Sequence, residues 1–183
     1  MAGPAWKAPK MAKKYIYDPY GDLIRQLNRE GVDYVVVGMS GINYYSESAL
    51  DTFGTQDYDL FLKPAVANAA KAFEVLSGSG YEMVADGKPV AKKDIERILK
   101  EKRTVLAVNP EGVTFELLFE VSGFVFEQMA TDASIFKAGD ALIRVARLSK
   151  LLASKEAAGR PKDKLFLKRY KLILKKTPEK RAI

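Results

Sequence analysis

Two aspartates one residue apart, Asp57 and Asp59, open the apolar run Asp57-Tyr-Asp-Leu-Phe-Leu. On a strand both point to one face, about 7 Å apart along the chain. Carboxylates held side by side repel unless a cation lies between them. Mg²⁺ takes one or two carboxylates together with phosphate oxygens and water. The pair therefore suits one or two Mg²⁺ or Mn²⁺ ions bridging a nucleoside triphosphate (NTP). Two such acids are also a common surface pattern, so their setting matters. Upstream, the apolar run Tyr34–Val37 ends at Gly38, and Ser40 follows at a helix start. A glycine lets phosphate approach the backbone, and such a turn offers N–H groups and a hydroxyl to an anion.

What the chain lacks narrows the chemistry further. It has no His and no Cys. That removes the serine-type triad, the usual general base, thiolate nucleophiles, thiolate zinc sites and disulfides. Catalysis here has to use carboxylates, Lys and Arg, hydroxyls and hard metal ions.

The elements that must position these residues follow from periodicity. Leu23, Ile24 and Leu27 fall at helical spacing, with Asp18 as N-cap, Pro19 in the first turn and Gly31 as the stop. Tyr34–Val37 reads as a buried strand, Ser40–Leu50 as helical at least in part, and Tyr58–Leu62 as a second strand closed by Pro64. Val66–Leu76 and Ala91–Lys102 read as helices, with a short strand at Tyr81–Val84 between them. Thr104–Val108 and Val113–Val121 form a hairpin around the Asn109–Gly112 turn. Phe124–Ala130 reads as a helical turn or two, and Ile135–Phe136 and Ala141–Val145 as short strands. Leu148–Ala158 and Lys162–Leu174 are helices broken at Gly159-Arg160-Pro161. This order predicts an α/β (α+β) fold, a mixed sheet flanked by helices with a helical C-terminal end. At 183 residues, 48% hydrophobic, with a mean hydropathy of -0.15, the chain can bury one core. One domain is expected over 18–176, with basic tails at 1–17, disordered by composition, and at 177–183.

The stretch Gly38–Leu62 resembles the first motif of the nucleotidyltransferase superfamily, a Gly-Gly or Gly-Ser turn followed by Asp-x-Asp. It is most similar to minimal forms such as the AbiEii-like toxins and the LinB-like antibiotic nucleotidyltransferases. Further along, Val113-Thr-Phe-Glu-Leu-Leu-Phe-Glu looks like the strand that carries the third carboxylate, with Glu116 in its place. Ser154-Lys-Glu-Ala-Ala-Gly-Arg-Pro-Lys-Asp looks like the distal helix and turn, with Lys155, Arg160 and Asp163 in register. The resemblance spans about Tyr34 to Leu167. It implies Asp57, Asp59 and Glu116 as catalytic and metal ligands, and Gly38, Ser40, Lys155, Arg160 and Asp163 as nucleotide or phosphate contacts. It also implies transfer of NMP from an NTP, and allows the role of a toxin with an antitoxin partner. The chain departs from the pattern in three places. Met39 stands where a second glycine is usual, the third acid is Glu, and no second Asp follows Asp163.

The residues also read on their own. Glu116 shares a strand face with Leu118 and Glu120, while Phe115, Leu117 and Phe119 take the other. A carboxylate in that setting must be paired, metal-bound or at a rim; Glu120 is the competing acid. Lys155 lies on an otherwise apolar helix, where its charge either faces water or neutralises phosphate. Arg160 and Asp163 either pair with each other or contact the nucleotide. Tyr44, Tyr45 and Phe53 either stack on a base or pack in the core.

Charge is uneven along the 183 residues. Residues 1–17 carry four Lys and no acid, and residues 160–183 carry ten Lys/Arg against two acids. The interior holds 16 basic and 21 acidic residues, a net of −5. Basic ends attract polyanions such as RNA or tRNA, or are solvated faces. No apolar run is long enough to span a membrane, and a cytoplasmic location fits the composition. The expectation is an Mg²⁺-dependent nucleotidyltransferase acting on a hydroxyl of RNA or tRNA, a protein or a small molecule. Two other readings stand beside it: a nucleotide- or RNA-binding module of the same fold without catalysis, and a basic RNA-binding protein with no nucleotide site.

Overall fold

A computed structural model describes residues 19–46 and 52–176. The basic tails, the Asp18 cap and the stretch 47–50 of the expected second helix lie outside the described residues.

Among the described residues eight strands form one mixed sheet, in the order β4-β3-β5-β6-β2-β1-β8-β7. They are β1 (Tyr34–Val36), β2 (Asp57–Leu62), β3 (Glu82–Ala85), β4 (Lys88–Pro89), β5 (Val105–Val108), β6 (Thr114–Leu118), β7 (Ser134–Ala138) and β8 (Ala141–Val145). Among the described residues seven α-helices flank it: α1 (Pro19–Arg29), α2 (Gly38–Asn43), α3 (Val66–Gly78), α4 (Ile95–Glu101), α5 (Phe126–Ala130), α6 (Leu148–Ala158) and α7 (Pro161–Lys176). The mixed α/β architecture expected from the periodicities is therefore present. Two details differ. The helix expected over Ala91–Lys102 divides into a 3₁₀ turn at Lys92–Asp94 and α4. Strand β4 has two residues and no alternation to reveal it.

The centre of the sheet explains the site. β1 and β2 are antiparallel, whereas β2 and β6 are parallel with Asp59 opposite Glu116. Alternation sends Tyr58 and Leu60 of β2, and Phe115 and Leu117 of β6, into one side of the core, where all four are buried. Tyr20 of α1 stacks on Tyr58 with ring centroids 4.6 Å apart. Asp57, Asp59 and Glu116 take the opposite side. Phe61, on that same side, meets Phe126 of α5 at 5.5 Å. Burial of these apolar faces, at roughly 25 cal/mol per Å², holds the acid-bearing strands in place. Among the described residues no helix is long and apolar enough to cross a membrane.

Candidate active site

A cavity of about 510 Å³ opens on the acid-bearing side of the sheet. Asp57, Asp59 and Glu116 line it from the sheet, and Lys155, Arg160 and Lys162 line it from α6, α7 and the turn between them. Thus the three acids expected from the sequence share a cavity with two of the expected cations.

The acid wall is built from adjacent strands. Direct pairing of Asp59 with Glu116 puts the two carboxyls side by side. Burial pushes Asp59 up to about 7, helped by a hydrogen bond with the Glu116 carboxyl and by its charge. The charge of Asp57 adds a smaller push in the same direction. At neutral pH a proton is therefore partly retained on Asp59. Asp57 stands apart from this contact. Among the described residues no three acidic side chains converge into a ready-made metal cage.

Ser40 and Gly38 fix how Asp59 is held. The Ser40 hydroxyl accepts from the Asp59 backbone N–H at 3.0 Å. Its single proton is shared between the Val37 carbonyl at 3.0 Å and Asp59 Oδ2 at 3.2 Å. Ser40 is buried, and its proton is spent inside the protein. The structure thus places it behind Asp59, not at the cavity surface. Gly38 has φ +62, and a Cβ there would lie 2.1 Å from Asp59 Oδ2. Only glycine permits both the backbone and the carboxylate position. At Gly41 a Cβ would come within 3.2 Å of Leu151, so its absence lets α6 sit close over α2.

The cation wall is built around a buried acid. Asp163 is 1% exposed. It accepts from Lys155 Nζ at 3.2 Å on one oxygen and from Arg160 Nε at 2.6 Å on the other. Burial opposes ionisation of Asp163, but the two cations outweigh it and hold the carboxyl below its ordinary value. Lys155 Nζ also lies 5.2 Å from the Phe166 ring centroid, within cation–π range. Of the two roles open to Arg160 and Asp163, the structure has them paired.

The aromatics expected either to stack or to pack do pack. Tyr44 and Tyr58 share a hydroxyl contact at 2.5 Å. Tyr45 donates to the Ala146 carbonyl at 2.9 Å. Phe53 meets Phe166 at 4.8 Å and Tyr170 at 6.3 Å, which ties the loop before β2 to α7. Asn43 brackets the same loop, donating to the Phe53 carbonyl at 2.8 Å and accepting from its N–H at 2.9 Å. Sequence reading missed Asn43, since nothing local marks a helix-end amide as the partner of a residue ten positions on. It also passed over Lys162, a cavity residue inside the Gly-Arg-Pro-Lys-Asp stretch. Glu120 lines the cavity at its rim and pairs with Lys102 at 2.7 Å.

No protein-family model matches the chain, and no curated protein matches it. Its class is therefore defined by fold and cavity: an α+β protein whose cavity is lined by carboxylates from the sheet and cations from α6 and α7.

Proposed function

We propose that the chain is a metal-dependent nucleotidyltransferase that moves NMP from an NTP to an acceptor hydroxyl. One observation carries this reading. Asp59 and Glu116 lie side by side on a cavity wall, partly dehydrated and hydrogen-bonded to each other, with Lys155, Arg160 and Lys162 lining the same cavity.

The donor set fits a hard divalent ion. Oxygen ligands are the ones Mg²⁺ and Mn²⁺ prefer, and two carboxylates suffice where phosphate oxygens complete the shell. Asp59 and Glu116 would hold the ion, with Asp57 on the same strand face as a further ligand. When bound, such an ion supplies charge neutralisation between the phosphates and the carboxylates. Lys155 and Arg160 supply positive charge for the pyrophosphate as it leaves. The acceptor oxygen bonds to the α-phosphorus while the bond from that phosphorus to pyrophosphate breaks. A carboxylate of the acid wall takes the hydroxyl proton. Positioning and electrostatics do the work, so the lack of His is no obstacle. The role of a toxin countered by an antitoxin belongs to this reading only through the resemblance.

A second reading, a nucleotide- or RNA-binding module without catalysis, is favoured by two observations. No three described acidic side chains converge, and Asp163 already pairs with both Lys155 and Arg160. One experiment separates the two. Each labelled NTP is incubated with Mg²⁺ or Mn²⁺ and with RNA, protein or small-molecule acceptors, beside an Asp57→Ala/Asp59→Ala control. Label transfer that disappears in the control is the expected result. Metal-dependent NTP binding with no transfer to any acceptor supports the module. NTP binding that survives the double substitution removes the site.

A further inference from the structure

Helix α7 has a divided surface. Asp163 and Phe166 are buried, and Leu167 and Tyr170 half-buried, which at 100° per residue makes one inward stripe. The remaining surface carries Lys162, Lys164, Lys168, Arg169 and Lys171, all exposed. Among the described residues, the helix's ion pairs are those of Asp163 and one long contact of 3.7 Å from Lys171 to Glu156. Among the described residues Lys162, Lys164, Lys168 and Arg169 thus have no acidic partner. Lys162 lines the cavity itself. Arg169 lies two turns further on, about 10 Å along the axis on the same flank.

We infer that the exposed side of α7 is a docking track for a polyanionic RNA, running outward from the cavity mouth. The charge is complementary to a phosphate backbone, and it continues from the cation-lined part of the cavity. As the account of why the track ends at the cavity, with the RNA as the hydroxyl-bearing acceptor, this rests on the nucleotidyl-transfer reading; RNA binding itself does not. A lipid surface fits less well. A helix lying on a membrane needs an exposed apolar face, and here that stripe is turned inward. Among the described side chains of α7, Leu165, at 69% exposed, is the one large apolar side chain on the outer face. Among the described residues no aromatic ring is exposed, so binding to this track is set by phosphate contacts and carries little sequence preference.

The test uses the full chain and a labelled single-stranded RNA oligonucleotide, read by anisotropy across a salt titration. Three charge reversals, Lys164→Glu, Lys168→Glu and Arg169→Glu, are combined; none of these residues lines the cavity. The expected result is an RNA Kd raised about tenfold or more, and a log–log salt slope flattened by about 2. Metal–NTP binding and the circular dichroism spectrum should stay unchanged. RNA binding by the variant as tight as by the unaltered chain overturns the inference. So does tighter binding to phosphatidylserine vesicles or to polyglutamate than to RNA. If RNA binding depends on α7 but the unaltered chain binds no metal–NTP, the track stands and the transfer reading falls.

Discussion

The two walls of the cavity handle buried charge in opposite ways. On the cation wall, one buried carboxylate is met by two cations and held below its ordinary pKa. On the acid wall, two carboxyls meet each other and Asp59 is driven up to about 7. In the first arrangement the buried carboxylate is fully paired, one cation to each oxygen, and the partners come from within nine residues of one another. The second is incomplete and comes from strands nearly sixty residues apart. Incomplete charge in a cavity is a mark of a site that expects a ligand. A buried acid already paired on both oxygens is a mark of a support.

The sharpest way to break this contrast is to remove the support. Asp163→Ala leaves Lys155, whose side chain is 12% exposed, without its partner. The expected loss is about 3 kcal/mol of unfolding free energy in urea. Lys155→Met in the same background should restore most of it. A loss near zero would mean that the cation wall is not held by Asp163.

Removing an acid from the other wall should do the reverse. The folded chain keeps a proton on Asp59 up to about 7, whereas an unfolded aspartate releases it near its ordinary value of 3.8. Between those values the folded state binds more protons, so stability falls as pH rises through that window. Asp59→Asn should flatten the fall and raise stability at pH 8 by about 2 kcal/mol, while abolishing metal–NTP binding. Thermal melts from pH 5 to 8 decide this, and a variant less stable than the unaltered chain at pH 8 would refute it.

Gly38→Ala tests whether the Asp59 position is enforced. Its φ of +62 should cost about 1 to 2 kcal/mol, and the new methyl must push the Asp59 carboxylate away. Weakened metal–NTP binding well beyond the stability loss is expected in calorimetry. Ser40→Ala is the mildest change, about 1 kcal/mol. The Ser40 hydrogen bond lowers Asp59, so its loss should move the midpoint of the stability–pH curve upward. An unmoved midpoint would show that Ser40 does not hold the carboxylate.

Much of this was legible in the sequence. Alternation placed Phe115 and Leu117 opposite Glu116, and Tyr58 opposite Asp59, because a half-buried strand has a period of two. The last two helices and their break at Gly159-Arg160-Pro161 were equally plain, since apolar spacing and chain breakers are local signals. What periodicity could not give was register. That Asp59 faces Glu116 depends on a parallel pairing across a long crossover, and only the resemblance suggested it. Nor could it choose between an Arg160–Asp163 pair and two nucleotide contacts, because that depends on how α6 and α7 pack. Ser40 was read as a phosphate contact for a similar reason. A hydroxyl after a glycine turn looks the same in sequence whether it faces the cavity or the strand behind.

The position of the acid pair within the sheet has one more consequence. β2 and β6 each have neighbours on both sides and lie far from the edge strands β4 and β7. Fraying at an edge therefore cannot separate Asp59 from Glu116. Their amide hydrogens should exchange with solvent only when the whole sheet opens. The repulsion between the two acids is thus not relieved by local breathing. It bears on the entire folded state, so that a single proton on one side chain acts on the cooperative unfolding of the protein as a whole.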